Sequence, residues 1–404
     1  MKALQFIESV PRWLISKALG RFFPEIYTSK VACVVYREVP EPELPGEEWV
    51  KIKVKYAGIC GSDLNLIFLH DSPSTSPFVS FPFTIGHENV GTVAKVGREA
   101  KGLQVGQRVI VDPILSCRTR GVALCEPCQK GDNSLCLNFR DGDIAPGMLI
   151  GACRDTGGSF SSYFVAHRSQ VIPVPDRVSD EAAVLVDAFA SALHPVLRNY
   201  PKDSDKVLII GAGAIGLSAV AALRGLGSRA EIAVLAKYPF QGNLARQLGA
   251  DQVIYRRGDY YEEVADFAGA RTLRPMIGKK VFQGGVDLVY ECVGSSSSID
   301  DALRFAGPGG TVVLVGLASE VKVDWTPIWL KELRIKGAFC YTDEEYEGQK
   351  TSTYRLALQL MAEGKVDVAP LLTHKYPLSE YRRAIKELTD KRNTGAIKAV
   401  FAID

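Results

Sequence analysis

One segment, VLIIGAGAIGLSAVAALRGLG, constrains the fold most, because it combines an apolar strand, a glycine turn and a small-residue helix. Gly211, Gly213 and Gly216 carry the spacing G-x-G-x-x-G. The first glycine permits a tight turn, the second lets the backbone approach a pyrophosphate, and the third lets helix and strand pack closely. Ala214 and Ile215 open the helix, whose free N–H groups favour phosphate. The segment predicts a dinucleotide-binding turn; the alternative is a glycine-rich turn without a ligand.

Two kinds of strand pattern divide the rest of the chain. From about residue 205 to 340, continuous apolar runs such as AEIAVLA and TVVLVGL alternate with helical stretches, which is typical of a buried parallel sheet. Before residue 180, strand-like runs such as WVKIKVKYAG and NVGTVAKVG are separated by turns rich in Gly and Pro. This pattern indicates that the N-terminal half is mostly β. Between these parts, SDEAAVLVDAFASALHPVL begins with Ser179 as a cap and predicts one helix.

In such a sheet, the residue at the end of the second strand contacts the ribose of the dinucleotide. An acidic residue there accepts a hydrogen bond from the 2′-hydroxyl of NAD. In AVLAKYPFQ this position falls on Ala236, Lys237 and Tyr238, none of which is acidic. A lysine pairs with a 2′-phosphate that a carboxylate would repel, so NADP is favoured over NAD. The alternative is that Lys237 is a solvated surface residue and that the cofactor specificity is loose.

A cluster of cysteines predicts a metal site. CEPCQKGDNSLC gives Cys125, Cys128 and Cys136 the spacing C-x2-C-x7-C, and Cys117 lies eight residues upstream. Four thiolates on one short loop match a closed tetrahedral zinc site, which has a structural role. Because RTRGVAL separates Cys117 from the others, the alternative for Cys117 is a free buried thiol.

A second, more scattered group contains Cys60 in GICGSD and His87 and Glu88 in IGHEN. Each motif follows a strand-like run, so each could lie at a strand end. Cysteine, histidine and one carboxylate would leave one zinc coordination position open, as a catalytic site needs. By spacing alone the evidence is modest, since single cysteines and histidines are commonly core residues.

Together these blocks resemble the medium-chain dehydrogenase/reductase family, in its zinc-dependent alcohol dehydrogenase branch. KYAGICGSDL, FPFTIGHENVGTV, CEPCQKGDNSLC, GGSFSSYFV, VLIIGAGAIGL and GPGGTVVLVGL follow the family's order from about residue 30 onwards. The resemblance implies an α/β architecture. A mostly β, GroES-like catalytic domain would cover 1–195, with a helical extension at 10–27. A Rossmann domain with a doubly wound parallel sheet would cover 196–340, and 341–404 would return to the catalytic domain.

The resemblance also implies two zinc ions, one catalytic and one structural. Cys60 and His87 would be ligands of the catalytic ion. Asp187, on the helix that leads into the cofactor domain, matches the position of the third protein ligand. The alternative is that Asp187 is an acid on the surface of that helix.

Further roles follow from the same resemblance. Glu88 would approach the metal during ligand exchange, and Asp63 would orient the histidine ligand and raise its basicity. Ser62 would bond the substrate oxygen and pass on its proton, unless it is an ordinary turn serine. Many members end this relay with a histidine five residues after the first cysteine. Here that position is Asn65, which cannot titrate, and His70 is the nearest substitute.

The extension VPRWLISKALGRFFPEIY places apolar residues at helical spacing, with Arg12, Lys17 and Arg21 between them. It is either an interfacial helix that touches a membrane or a partner, or a helix packed on its own domain or a sister subunit.

Phe68, Phe78, Phe81 and Phe83 lie between the motifs of Cys60 and His87. They either line a substrate pocket or belong to the core.

Composition excludes some classes of function and location. The 404 residues suffice for two domains, and a net charge of +2 gives no support to a nucleic-acid partner. No apolar run reaches the ~18–20 residues that span a bilayer. MKALQFIESVPRW lacks the features of a signal peptide. We therefore expect a cytoplasmic protein that acts on a small-molecule alcohol or carbonyl, and the resemblance implies a homodimer or homotetramer.

The function implied is that of an NAD(P)-dependent zinc alcohol dehydrogenase, which transfers a hydride between an alcohol or polyol and the cofactor, reversibly with the aldehyde or ketone. One alternative is a metal-independent NADPH enone or quinone reductase, which would lack Cys60 and His87. The other is a non-enzymatic nucleotide-binding protein, which would have no need of a zinc site with an open position.

Overall fold

The chain forms two compact units in the computed structural model, which describes residues 1–403. Unit 1 contains Met1–Asp187, Tyr354–Ala362 and the residues from Leu372 onwards. Unit 2 contains Ala188–Thr353 and Glu363–Leu371. These units are defined by contacts within the chain, and the domain limits that the resemblance implies, after residues 195 and 340, stay a prediction.

The strands and helices are numbered along the chain. The strands are β1 (Lys2–Phe6), β2 (Val34–Glu38), β3 (Trp49–Gly58), β4 (Phe83–Thr84), β5 (Glu88–Val96), β6 (Arg108–Val111), β7 (Tyr163–His167), β8 (Val171–Pro173), β9 (Lys206–Ile210), β10 (Glu231–Ala236), β11 (Gln252–Tyr255), β12 (Arg271–Leu273), β13 (Val281–Gln283), β14 (Val286–Glu291), β15 (Ala306–Leu314), β16 (Arg334–Gly337), β17 (Asp343–Tyr346), β18 (Gln349–Ser352), β19 (Leu372–Pro377) and β20 (Lys398–Ala402). The helices are α1 (Val10–Leu19), α2 (Gly61–Ile67), α3 (Glu126–Gln129), α4 (Asp180–Ala183), α5 (Val186–Arg198), α6 (Ala214–Gly225), α7 (Pro239–Gln247), α8 (Tyr260–Ala268), α9 (Ser296–Phe305), α10 (Thr326–Leu330), α11 (Thr353–Ala362), α12 (Tyr381–Thr389) and α13 (Lys391–Thr394).

Unit 1 is built on a seven-stranded sheet in the order β19-β20-β3-β5-β6-β8, with β7 paired to β3. The central strand β3 buries Val50, Ile52 and Val54, as its alternating sequence predicts. β7 pairs with the first half of β3, and β20 pairs with its last three residues. A smaller sheet, β2-β1-β4, includes the strand Lys2–Phe6, which the sequence patterns did not indicate. The mostly β character of the first part of the chain is thus confirmed.

Unit 2 is built on a six-stranded parallel sheet in the order β11-β10-β9-β14-β15-β16. The first strand of the unit, β9, therefore lies in the middle, and the order reverses between β9 and β14. In doubly wound sheets, ligands bind at the carboxyl ends of the strands where the order reverses. The predicted Rossmann architecture is confirmed, and it places the glycine turn at that point.

The segment after Ser179 forms two helices, α4 and α5, and not the single helix predicted. Ser179 is the cap as predicted, since its Oγ accepts a hydrogen bond from the N–H of Ala182 at 3.2 Å. Val184 and Leu185 interrupt the helix but are both buried, so the apolar pattern continues across the break and conceals it. The break places Asp187 in the first turn of α5.

Candidate active site

The pairing of β3 with β5 brings the second predicted metal group together. Gly58, at the end of β3, is the register partner of Glu88, at the start of β5. Cys60 follows β3 by two residues and His87 precedes β5 by one, so both lie at the same edge of the sheet. The ligand atoms of Cys60, His87 and Glu88 all lie within 4.8 Å of one another. One sulfur, one nitrogen and one oxygen donor fit a zinc site with a position left for a further ligand.

Asp187 does not belong to this three-residue group, but its charge acts on it. The side chain is buried in the first turn of α5. Burial alone would lower the pKa of His87, but Asp63, Cys60 and Asp187 together raise it well above its ordinary value. The surroundings of His87 are therefore electronegative, and a bound cation would neutralise them.

Asp63 contacts two parts of the site. Its Oδ2 accepts the backbone N–H of Cys60 at 2.8 Å, and its Oδ1 lies 3.6 Å from Nδ1 of His87. Desolvation raises the pKa of Asp63 to about 6, against the opposing charge of His87. Because Nδ1 faces the carboxylate, Nε2 is the ring nitrogen of His87 that a metal would take.

Lys398 is a member of the site that the sequence analysis missed. β20 pairs with the end of β3, which places Lys398 at the same sheet edge. Its Nζ donates to Oε1 of Glu88 at 2.5 Å, and both side chains are buried. Oε2 of Glu88 has no hydrogen-bond partner, so it is the oxygen that could turn to a metal. A single lysine in the apolar run AIKAVFA is the sequence feature that could have indicated this pair.

The predicted proton route begins in α2. Ser62 lies half-buried in the first turn of this helix, directly after Cys60 and Gly61. The carbonyl of Asn65 accepts the N–H of His70 at 2.7 Å, and His70 is exposed beyond the helix end. The route beyond Ser62 stays a prediction.

The phenylalanines between the two motifs pack mainly as core residues. Phe6 and Phe83 stack with 5.7 Å between their ring centroids, and Phe81 lies tilted against Phe83 at 5.5 Å. Phe68 meets Tyr27 edge-on at 5.3 Å. These contacts favour the core alternative for Phe68, Phe81 and Phe83, whereas Phe78 is exposed.

The four cysteines of the loop form a compact group. The sulfur atoms of Cys117, Cys125, Cys128 and Cys136 lie within 4.8 Å of one another. Sγ of Cys136 lies 3.5 Å from that of Cys117 and 4.0 Å from that of Cys125. A tetrahedron with Zn–S bonds of ~2.3 Å has edges of about 3.8 Å, so the spacing fits zinc. Burial raises the pKa of Cys136 to about 11, so a cation is needed to hold its thiolate at neutral pH.

The RTRGVAL segment, which left Cys117 in question, folds around Arg120. A short 3-10 helix covers Cys117–Arg120 and ends at Gly121, whose φ of 65° is left-handed. The fully buried guanidinium donates to the backbone carbonyls of Leu115, Asp141, Ile144, Ala145 and Gly147. The segment is thus a folded element that brings Cys117 to the other three cysteines.

The glycine turn of unit 2 has the geometry that a pyrophosphate needs. Gly211 has a φ of 99°, and a Cβ on Gly216 would stand 1.8 Å from the carbonyl oxygen of Gly211. Gly213 caps α6, and the space around it is open. No side chain caps the N-terminus of α6, so the N–H groups of Ala214 and Ile215 face that space without a side-chain acceptor.

A basic group lies at the carboxyl edge beside this turn. Lys237 is exposed directly after β10, which ends at the buried Ala236. The backbone N–H of Arg256 donates to the carbonyl of Ala236 at 2.8 Å, which places Arg256 and Arg257 next to Lys237. Both arginines are exposed and were missed, although the pair RR directly after the short run QVIY is visible in the sequence.

Comparison with known proteins agrees with this geometry. The alcohol dehydrogenase GroES-like domain matches residues 46–176, and the zinc-binding dehydrogenase domain matches 214–363. L-idonate 5-dehydrogenase of Vitis vinifera is 31% identical over 87% of this chain and 87% of its own. The chain belongs to the zinc-dependent medium-chain dehydrogenase family.

Other family members are similarly related. L-threonine 3-dehydrogenase of Legionella pneumophila (strain Corby) is 29% identical over 87% of this chain and 92% of its own. The crystal structure of 2R,3R-butanediol dehydrogenase from Bacillus subtilis has a TM-score of 0.72 and 25% identity, covering 100% of this chain and 99% of that one.

This medium-chain dehydrogenase is therefore an oxidoreductase whose reaction moves a hydride between an alcohol and a carbonyl. Within residues 1–403, no helix combines the length and apolar character that crossing a bilayer requires.

Proposed function

We propose that this protein is a zinc- and NADP-dependent dehydrogenase that interconverts a secondary alcohol and its ketone. The observation that carries the proposal is the group of Cys60, His87 and Glu88, within 4.8 Å, in a chain that also has a dinucleotide turn. The relatives are named for threonine at C3, idonate at C5 and 2,3-butanediol. Each name places the reacting hydroxyl on an internal carbon with a polar neighbour, so polyols and amino alcohols are the proposed substrate class.

Two zinc ions would be held by unit 1. Cys60, His87 and Asp187 would hold the catalytic ion, with Glu88 as a second carboxylate within reach of the same position. The four-cysteine group would hold the structural ion. When bound, catalytic zinc supplies Lewis acidity that lowers the pKa of an alcohol.

The chain's own groups would then handle the proton and the orientation. Asp63, whose Oδ1 lies 3.6 Å from Nδ1 of His87, would orient that ring, and it holds the backbone of Cys60 by accepting its N–H. Ser62 Oγ would accept the proton of the substrate hydroxyl and release it towards solvent. The cofactor takes the hydride, and the protein supplies position and electrostatics.

NADP is the proposed cofactor because the residues directly after β10 and β11, next to the expected position of the ribose, include basic side chains and no acidic one. Lys237 follows β10 directly, and Arg256 and Arg257 follow β11 beside it. A 2′-phosphate would meet the charges of Lys237 and Arg257 there, while the guanidinium of Arg256 also lies 3.7 Å from the carboxylate of Asp301.

A homodimer is the proposed assembly, formed through unit 2. β16 is an edge strand of the six-stranded sheet, and exposed Trp325, Trp329 and Leu330 lie shortly before it in the chain. An open strand edge with exposed large apolar residues is suited to pairing with a second copy. Four clustered thiols without a disulfide are typical of a reducing compartment, so the cytoplasm is the proposed location.

A substrate panel with purified protein tests the function. Vicinal diols, polyols and amino alcohols are offered with NADP and with NAD, for the wild type and for Cys60→Ser. We expect turnover of internal hydroxyl groups with NADP, lost in Cys60→Ser and on removal of zinc. Turnover that persists in Cys60→Ser would contradict the proposal.

A further inference from the structure

The N-terminal helix α1 faces outwards with its apolar side. Its only buried residue is Ser16, which is 1% exposed. Large apolar side chains in and just after the helix have exposed fractions from 41% for Trp13 to 72% for Phe22. These apolar residues therefore do not pack on their own domain, to which the helix attaches through its small and polar side, and a contact with a membrane, a partner or a sister subunit stays a prediction.

Three contacts hold this polar side against unit 1. Arg12 donates from Nη1 to the carbonyl of Ala32 at 2.9 Å, and Lys17 donates from Nζ to the carbonyl of Leu69 at 2.5 Å. A Cβ on Gly20 would stand 2.3 Å from the ring of Tyr27, so the glycine allows the helix end to lie directly on that ring. The orientation of α1 is thus fixed by specific contacts.

The outer face of α1 is continuous. At about 100° per residue, Val10, Leu14, Ile15 and Leu19, with Pro11 and Ala18 between them, cover about half of the circumference. The exposed aromatic residues Phe22 and Phe23 extend this face past the helix end. We call this set of eight residues the α1 apolar face.

Charge decides which occupant fits the α1 apolar face. The cations Arg12, Lys17 and Arg21 lie within residues 10–23, and the acidic residues nearest in sequence, Glu8 and Glu25, lie outside the helix. A second copy docked face to face would bring two such sets of cations together without an acid in the same helices, which disfavours a self-contact. A surface with an apolar interior and anionic groups at its boundary with water would suit both the apolar side chains and the cations of α1.

We propose that α1 docks this dehydrogenase on the surface of an anionic lipid bilayer. The helix would lie in the interface with the α1 apolar face in the acyl boundary and Arg21 among the headgroups, while Arg12 and Lys17 keep their bonds to unit 1 and add positive charge at the flanks of the face. Phe22 and Phe23 suit this depth, since aromatic side chains are enriched at the membrane interface. The attachment is peripheral, and it leaves the zinc and dinucleotide sites of the proposed function unchanged.

Vesicle flotation of the full-length protein tests the proposal. We expect binding to vesicles that contain phosphatidylserine, and much weaker binding to phosphatidylcholine alone. Leu14→Asp should weaken binding about tenfold or more, because it removes a leucine that would be buried in the bilayer and adds a negative charge that anionic headgroups repel. Arg21→Glu should weaken binding about tenfold, and only on the anionic vesicles. Val105→Asp and Arg177→Glu, exposed positions of unit 1 outside α1, are the matched controls and should bind as the wild type does.

Phe22→Trp, which places a tryptophan within the α1 apolar face, provides a second measurement on the same vesicles. The added fluorescence should be quenched by brominated acyl chains more strongly than that of the wild type, since Trp13 lies outside the face. The proposal would be overturned if the wild type did not bind vesicles that contain phosphatidylserine. A change in sedimentation of Leu14→Asp without lipid would assign the α1 apolar face to a protein partner or a second copy, and would also overturn it.

Discussion

Replacing Lys398 by methionine tests how the buried pair with Glu88 maintains the site. The two side chains are 5% and 0% exposed, and Nζ and Oε1 lie 2.5 Å apart. Oε2 of Glu88 already has no partner, so the substitution leaves the whole carboxylate without its cation. Removal of one partner from a buried ion pair costs about 3–5 kcal/mol, since the remaining charge is uncompensated.

We expect Lys398→Met to lower the free energy of unfolding by about 3–5 kcal/mol in the zinc-depleted protein. The loss should be smaller with zinc, because a cation near Cys60 and His87 offsets part of the charge of Glu88. Urea titration followed by circular dichroism, with and without zinc, measures both values.

Two controls separate this pair from a general effect of losing a lysine. Lys375→Met, on the adjacent strand β19, breaks an exposed pair with Glu181 and should cost less than about 1 kcal/mol. Glu88→Gln combined with Lys398→Met removes both charges and should recover most of the loss. The reasoning is refuted if Lys398→Met costs no more than Lys375→Met, or if the double variant is as unstable as the sum of the single ones.

Three further predictions concern other parts of the chain. Arg120→Met should cost about 3–5 kcal/mol and release the structural zinc, because several buried carbonyls lose their donor; an unchanged melting temperature and zinc content would contradict this. Burial and the charge of Arg304 lower the pKa of Lys331 to about 8. Between pH 8 and about pH 10.4, the usual pKa of an unfolded lysine, the unfolded chain binds more protons than the folded protein. The free energy of unfolding of the wild type, relative to that of Lys331→Met, should therefore rise by up to about 3 kcal/mol from pH 8 to 10.5. A difference that does not change with pH in urea titrations would oppose this. Lys237→Glu should weaken binding of 2′,5′-ADP about tenfold or more in calorimetry and spare 5′-AMP; equal losses for both ligands would reject a 2′-phosphate contact.

The fold was predictable where one local pattern fixes a structure. The apolar strand and glycine spacing around Gly211 determine both the turn and its parallel neighbours, and the alternation in Trp49–Gly58 determines the central strand of unit 1. The break before Asp187 was not predictable, because buried apolar residues on both sides keep the helical pattern continuous.

The site was predictable only where its residues sit in local motifs. Cys60, His87 and Glu88 each belong to such a motif, whereas Lys398 joins them through the pairing of β20 with β3. That pairing links residues more than 300 positions apart, and no local pattern encodes it. The outward face of α1 was also hidden, since hydropathy gives the apolar side of a helix but not the direction in which that side points.

Zinc content of the wild type and of Cys60→Ala, measured on purified protein by mass spectrometry, tests the central claim most directly. About two zinc ions per chain are expected in the wild type and about one in the variant, because the four-cysteine group should keep its own ion. Alcohol oxidation should be lost in the variant together with the catalytic zinc ion. One zinc ion or none in the wild type, or equal zinc content and activity in both proteins, would contradict a catalytic zinc at Cys60 and His87.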